Sequence, residues 1–203
     1  MKKFIWSPFL ILIFVLSVGS ISYAWWLFQI EKGNQSLQRG DSQKAEEIYR
    51  EAKAPFRQIP LLTQLFKSDY QSLVFNRIGL LYANGQIEEV LEKLQEEADH
   101  APFIAQTGEY SFWMGNVLLR KAIRSKVPED LLNALEAARG EYRRGLTVEP
   151  DDWDLKYNYE LVLHMLSQKG RGKIKMEKVK SILEKMKPLR IPHKGVLQPE
   201  KQG

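Results

Sequence analysis

The stretch from Arg39 to Pro55 reads RGDSQKAEEIYREAKAP, and it is either a lone surface helix or one half of a repeat. Gly40 and Asp41 suit a tight turn between two helices, because glycine takes a positive φ at a helix end and aspartate can cap the next helix. Apolar residues then follow at helical spacing, with Ala45 and Tyr49 on one face. The stretch therefore predicts the second helix of a helical hairpin.

The first helix of this hairpin lies just upstream, where Gly33 precedes Ala45 by twelve residues and Ala52 follows Tyr49 by three. The tetratricopeptide repeat, a helix–turn–helix of about 34 residues, places small residues where its two helices touch and large ones where they fill the groove. This segment resembles such a repeat. The resemblance implies that its first helix continues directly out of the preceding apolar segment.

Two later segments resemble the same repeat. Residues 74–102, VFNRIGLLYANGQIEEVLEKLQEEADHAP, give the best match, with Asn84-Gly85 as the turn. The third begins at EYSFWMGNVLL, and the residues that match are Met114, Gly115, Leu118, Ala138, Tyr142 and Gly145. Its turn is eleven residues longer, and Pro128 is expected to open its second helix. Prolines stand near the three repeat ends, at Pro55, Pro102 and Pro150.

A further helix is expected after Pro150, where the chain reads DDWDLKYNYELVLHML. Its acidic start suits a helix N-terminus. The residues expected to form its apolar face are Trp153, Tyr157, Leu161 and Leu163 to Leu166. This helix is either the first helix of a fourth repeat or a helix that caps the end of the repeats.

The resemblance covers about residues 29–168 and implies an all-α fold, a short α-solenoid of helical hairpins with one concave binding face. The residues expected to line this groove are Asn76, Tyr82, Asn116 and Asn158. Asparagine can pair with a peptide backbone because it offers both a donor and an acceptor. Two alternatives stay open: an irregular helical bundle, and asparagines that are only surface residues.

The N-terminus carries an apolar run from Phe4 to Ile30, with no charge in 27 residues. About 20 apolar residues cross a bilayer as a helix, and Trp25 and Trp26 suit the aromatic belt at its surface. Lys2 and Lys3 favour a cytoplasmic N-terminus. The sequence thus predicts a single-pass signal anchor in the inner (cytoplasmic) membrane, with the body outside the cytoplasm, which in a bacterium is the periplasm. The alternative is a signal peptide cleaved after Ser22-Tyr23-Ala24.

Charge is divided unevenly along the 203 residues. Residues 1–30 carry a charge of +2 and residues 169–203 carry +8, which leaves −5 on the body between them within a total of +5. The predicted domains are accordingly an anchor (1–30), a repeat domain (31–168), and a basic amphipathic helix with a disordered tail (169–203). A hinge is expected at 168–173. The helix at Lys175–Lys187 either contacts anionic lipid or an acidic partner, or caps the solenoid.

The stretch Pro55–Ser72 is longer than the connection between two repeats requires. It is predicted to be an apolar loop that packs on its own core. The alternatives are a surface for a partner and a contact with the bilayer.

No motif for catalysis is evident. The chain has no cysteine, which excludes disulfides and thiolate chemistry. His100, His164 and His193 are far apart in sequence, and helix capping accounts for the acidic group at 151–154 better than a metal site does. We therefore expect no enzyme, no cofactor and no metal. Nucleic acid is a poor partner, because the anchor sends the basic tail to the wrong compartment.

The expected function is a membrane-anchored scaffold that binds a protein or peptide. The stretch at residues 149–163, EPDDWDLKYNYELVL, resembles a group of membrane-anchored accessory repeat proteins. These proteins, the BatC-like and MxaK-like groups, are encoded with MoxR-type ATPases and von Willebrand A-domain proteins. That resemblance implies help with assembly or metal loading of a periplasmic or membrane complex. The alternative is a structural subunit of an envelope complex, which acts mainly through its transmembrane helix.

Overall fold

The computed structural model describes residues 6–124 and 128–170, and within these ranges the chain is helical with no strand. The helices are α1 (Trp6–Gln38), α2 (Ser42–Gln58), α3 (Pro60–Leu65), α4 (Lys67–Ala83), α5 (Ile87–His100), α6 (Gly108–Arg124), α7 (Pro128–Val148) and α8 (Trp153–Gly170), with a 3-10 turn at Ile104–Gln106. The all-α prediction is confirmed for this part of the chain.

Several expectations concern residues outside these ranges. They are the lysine pair at 2–3, the centre of the long turn at 125–127, His193, and the basic helix and tail beyond Gly170. The expected hinge at 168–173 begins inside α8, which runs to Gly170.

Helix α1 is a single helix of 33 residues. By length and composition it can cross a membrane. Its apolar side chains from Phe9 to Ile21 are largely exposed, with Phe14 at 69%. The helix does not stop at Ile30, where the apolar run ends, but continues to Gln38. This confirms that the first hairpin helix extends directly from the apolar segment.

The chain divides into two compact units, and the boundary between Leu73 and Val74 lies inside α4. The predicted division into an anchor (1–30), a repeat domain (31–168) and a C-terminal region (169–203) stays a prediction. Helix α1 packs against α2 along its second half, and the apolar helix and the first hairpin share one unit.

The first unit contains the hairpin of α1 and α2. Gly40 has a φ of 80°, and the Asp41 carboxylate accepts a hydrogen bond from the Lys44 amide at 3.2 Å, as the sequence predicted. The ring of Tyr49 lies against Gly33, where a Cβ would come within 2.7 Å of it. The Tyr49 hydroxyl donates to Asn34 Oδ1 at 2.6 Å.

The second unit repeats this contact between α6 and α7. The ring of Tyr142 lies against Gly115, where a Cβ would come within 2.5 Å of it. The Tyr142 hydroxyl donates to Asn116 Oδ1 at 2.7 Å. Helix α7 begins at Pro128, as predicted. The asparagine and tyrosine are 26 residues apart here and 15 apart in the first unit, so the same contact survives a turn eleven residues longer.

The expected loop at Pro55–Ser72 is instead helical. Pro55 lies inside α2, which runs on to Gln58, and Pro60 opens α3 at a position where proline loses no helical hydrogen bond. Phe56 and Tyr70 are buried, whereas Ile59, Leu61 and Leu65 are exposed. The stretch therefore packs on its own core along one side only.

The two glycines of the α6–α7 hairpin provide a matched test. Gly115→Ala is expected to lower the free energy of unfolding by about 1–3 kcal/mol, because the added methyl group overlaps a buried ring. Gly140→Ala, where a Cβ meets nothing within 4 Å, is expected to raise it by about 0.5–1 kcal/mol through helix propensity. Urea unfolding of the full chain in detergent micelles, followed by circular dichroism, measures both. Equal stability of the two variants would contradict the close contact.

Candidate interaction surfaces

The four residues expected to line a groove are all buried in the structure: Asn76, Tyr82, Asn116 and Asn158. Asn116 and Asn158 are brought together, since Asn158 Nδ2 donates to Asn116 Oδ1 at 3.1 Å, the atom that also accepts from Tyr142. The exposed fractions of these two asparagines are only 1% and 0%. Their amides connect α6, α7 and α8 instead of facing solvent.

Tyr82 is held in the same way. Its ring tilts against Trp113 with centroids 5.4 Å apart, and its hydroxyl accepts a hydrogen bond from Arg120 Nε at 3.0 Å. Burial raises the pKa of Tyr82, and the guanidinium of Arg120 opposes that rise. Contact between these four side chains and a partner stays a prediction, and it requires that they become exposed.

Helix α8 carries an exposed aromatic surface, formed by two residues of its expected apolar face. Trp153 is 78% exposed and Tyr157 is half-exposed, four residues further along the same side of the helix. Lys156 Nζ lies 5.2 Å from the centroid of the Trp153 ring. We call Trp153 and Tyr157 the α8 aromatic pair.

The buried side of α8 is formed instead by Leu155, Asn158, Val162 and Met165. The Asp152 carboxylate accepts from the Leu155 amide at 2.8 Å and caps the helix, as expected for this acidic group. Leu155 then packs on Gly145 of α7, where a Cβ would lie 2.8 Å from a Leu155 methyl carbon. Trp153 and Tyr157, which were expected to belong to the apolar face of this helix, lie outside its buried side.

The first unit holds an aromatic cluster where α1 meets the other helices: Tyr23, Trp26, Phe56, Phe66 and Tyr70. Trp26 Nε1 donates to the carbonyl oxygen of Ala52 at 2.7 Å, and the Tyr23 hydroxyl donates to the Asp69 carboxylate at 3.0 Å. A cavity of about 690 Å³ lies beside this cluster, and its lining is almost entirely carbon.

No chemical centre accompanies these surfaces in the described ranges. No group of three His, Asp or Glu side chains there is placed to hold a metal ion. Burial is the main cause of the raised pKa values of Tyr49, Tyr82, Tyr142 and Glu141. The arrangement offers apolar and aromatic contact surfaces.

Comparison of the chain with protein-family models, with curated proteins and with solved structures gave no match.

Tyr142 makes the stability of the second unit depend on pH. Burial raises the pKa of its hydroxyl well above the ordinary value of 10. Its neutral form is therefore favoured by folding, and this contribution is complete below pH 10 and is lost as the pH rises further. Near pH 7, Tyr142→Phe is expected to lower the free energy of unfolding by about 1 kcal/mol, because the hydrogen bond from the Tyr142 hydroxyl is lost. The stability deficit of the variant relative to the wild type should shrink above pH 10 and then reverse. Above that pH the hydroxyl of Tyr142 ionises in the unfolded state and stabilises it, whereas phenylalanine has no group to ionise.

Urea unfolding near pH 7 and near pH 11 measures this difference, with Tyr157→Phe at the exposed surface as the control. A deficit for Tyr142→Phe that stays constant up to pH 11 would contradict the assignment.

Proposed function

We propose that the protein is a membrane-anchored scaffold for protein–protein interaction, in which α1 holds a helical body at the membrane and the body binds a protein or peptide. The observation that carries this proposal is the two-part nature of α1. Its first part, Phe9–Ile21, is apolar and exposed, whereas Trp26 and Gly33 further along are packed against α2.

The exposed part of α1 needs an apolar environment. A fully buried Leu, Ile or Phe side chain is stabilised by about 1.5–3 kcal/mol relative to water, and this part of α1 forgoes that gain unless lipid surrounds it. Tyr23, Trp25 and Trp26 lie at its distal end, where aromatic rings suit the membrane surface. With Lys2 and Lys3 on the cytoplasmic side, the body lies outside the cytoplasm, in the periplasm of a bacterium.

The body is proposed to be a short solenoid of the tetratricopeptide type. The support is the recurrence of one contact, a tyrosine ring on a glycine with its hydroxyl bonded to the next asparagine, at Gly33-Asn34 and at Gly115-Asn116. Glycines with positive φ at the hairpin turns, Gly40 and Gly85, add to it. Recurring hairpins of this kind stack to give extended binding surfaces.

The α8 aromatic pair is the part of the body best suited to a partner. Tryptophan and tyrosine dominate the binding energy of many interfaces, and Trp153 is largely free of contacts that would bury it. The partner suggested by the ending EPDDWDLKYNYELVL is a von Willebrand A-domain protein or a MoxR-type ATPase. The protein would then assist the assembly or maturation of a periplasmic or membrane complex, without chemistry of its own.

A second function, a structural subunit that acts through its transmembrane helix, is favoured by one observation. A Cβ at Gly19 would meet nothing within 4 Å, so this side of α1 is open to close packing by another helix. Ser20 satisfies its hydroxyl within α1, by donating to the Leu16 carbonyl at 2.9 Å, which suits an apolar environment.

The two functions are separated by replacing residues 4–22 with an unrelated apolar span. Residues 23–30 are kept, because Tyr23 and Trp26 bond to the first unit. A scaffold is expected to retain its partner in native membranes, and a structural subunit is expected to lose it. Co-purification from detergent-solubilised native membranes, quantified by mass spectrometry, gives the answer.

The binding surface is tested by a photo-crosslinking amino acid at Tyr157, with Glu136 on the exposed side of α7 as the matched control. We expect one A-domain or ATPase protein to be attached at residue 157 and not at 136. Equal labelling at both positions, or labelling only within α1, would contradict the proposed surface.

A further inference from the structure

We propose that the segment Ile59–Phe66, which we call the α3 elbow, lies in the membrane interface and inserts Leu61 and Leu65 between the lipid headgroups and acyl chains. This inference rests on the proposed anchoring by α1. It adds a second, peripheral membrane contact, made by the first unit beside the spanning helix.

The α3 elbow has one packed side and one bare side. Thr63 is buried and Leu62 is half-buried, whereas Leu61 is 62% and Leu65 is 65% exposed. Residues four apart lie on the same side of a helix, so the two leucines form one apolar ridge. Ile59, just before the helix, is exposed as well.

The depth of the α3 elbow follows from its contacts with α1. The rings of Phe66 and Tyr23 stack with centroids 5.2 Å apart, and those of Phe56 and Trp26 lie 5.4 Å apart. Phe66, the last residue of the elbow, and Phe56, three residues before its start, are therefore level with the turn of α1 that carries Tyr23 and Trp26.

That turn coincides with the bilayer boundary. A helix rises about 1.5 Å per residue, and the hydrocarbon core is about 30 Å thick, so about 20 residues fill it. Counted from Trp6, where α1 begins, about 20 residues reach Trp25, in the turn that carries Tyr23 and Trp26. The α3 elbow thus meets the zone where headgroups give way to acyl chains.

The charge around the α3 elbow suits anionic headgroups. From Ala52 to Ser68 there is no acidic residue, while Lys53, Arg57 and Lys67 are basic. This stands out in a body whose net charge is −5 over residues 31–168. Arg57 and Lys67 are exposed on either side of the elbow. Basic residues near an anionic membrane surface are attracted to it.

The carbon-lined cavity of the first unit lies at the same level. Gly19 and Trp25 of α1 line one side of it, and Pro55, Leu62 and Phe66 line another. In a bilayer the medium around this part of α1 is acyl chain, so an acyl chain is the occupant that matches both the lining and the position.

The test places a nitroxide label at single cysteines, which is direct because the chain contains none. The variants are Leu61→Cys and Leu65→Cys, with Glu47→Cys on exposed α2 as the aqueous control and Val15→Cys in α1 as the membrane control. The full chain is reconstituted into vesicles of phosphatidylcholine with a minor fraction of phosphatidylglycerol. Circular dichroism verifies that each variant is folded.

Power saturation compares collisions with oxygen, which enriches in lipid, and with a water-soluble nickel complex. At residues 61 and 65 we expect oxygen collisions to exceed nickel collisions, less strongly than at residue 15, with the opposite order at residue 47. The same order at 61 and 65 as at 47, with residue 15 still in lipid, would overturn the elbow proposal alone. Nickel access at residue 15 would overturn the anchoring proposal, and the elbow proposal with it.

Discussion

The contact between Gly33 and the ring of Tyr49 sets how closely α1 approaches α2. A side chain at Gly33 would push the ring away, and the hydrogen bond from Tyr49 to Asn34 would be lost with it. Trp26 reinforces the same pairing by donating to the Ala52 carbonyl. Because these bonds fall in the second half of α1, the apolar first half is rigidly continued into the hairpin. The proposed position of the first unit at a membrane and the proposed depth of the α3 elbow both depend on this continuity.

The same contact recurs at Gly115 and Tyr142, at the glycine and tyrosine positions that the sequence pattern had matched. Local sequence rules correctly predicted several helix ends and turns: the positive φ of Gly40, the cap at Asp41 and the start of α7 at Pro128. Each of these depends on a few neighbouring residues, so the sequence contains all the information they need. The all-α class and the apolar helix follow from equally local periodicity and length.

The faces of the helices were predicted less well, because they depend on contacts with other helices. On α8 both sides carry apolar residues; Leu155 packs on Gly145 of α7, whereas Trp153 is exposed. Asn116 and Asn158 looked like surface groups because polar side chains usually are exposed. Their burial requires the Tyr142 hydroxyl and each other, a network that no single segment reveals.

The central claim is that the apolar segment and the first hairpin are one uninterrupted helix at the membrane surface. Hydrogen–deuterium exchange of the full chain in lipid nanodiscs tests it most directly at the amides from Phe28 to Gly33, where the apolar run ends. The account predicts slow exchange there, comparable with the core of α2, because α1 continues through this region and is packed on α2. Rapid exchange confined to these amides would show that the helix breaks at the surface, and would contradict the account.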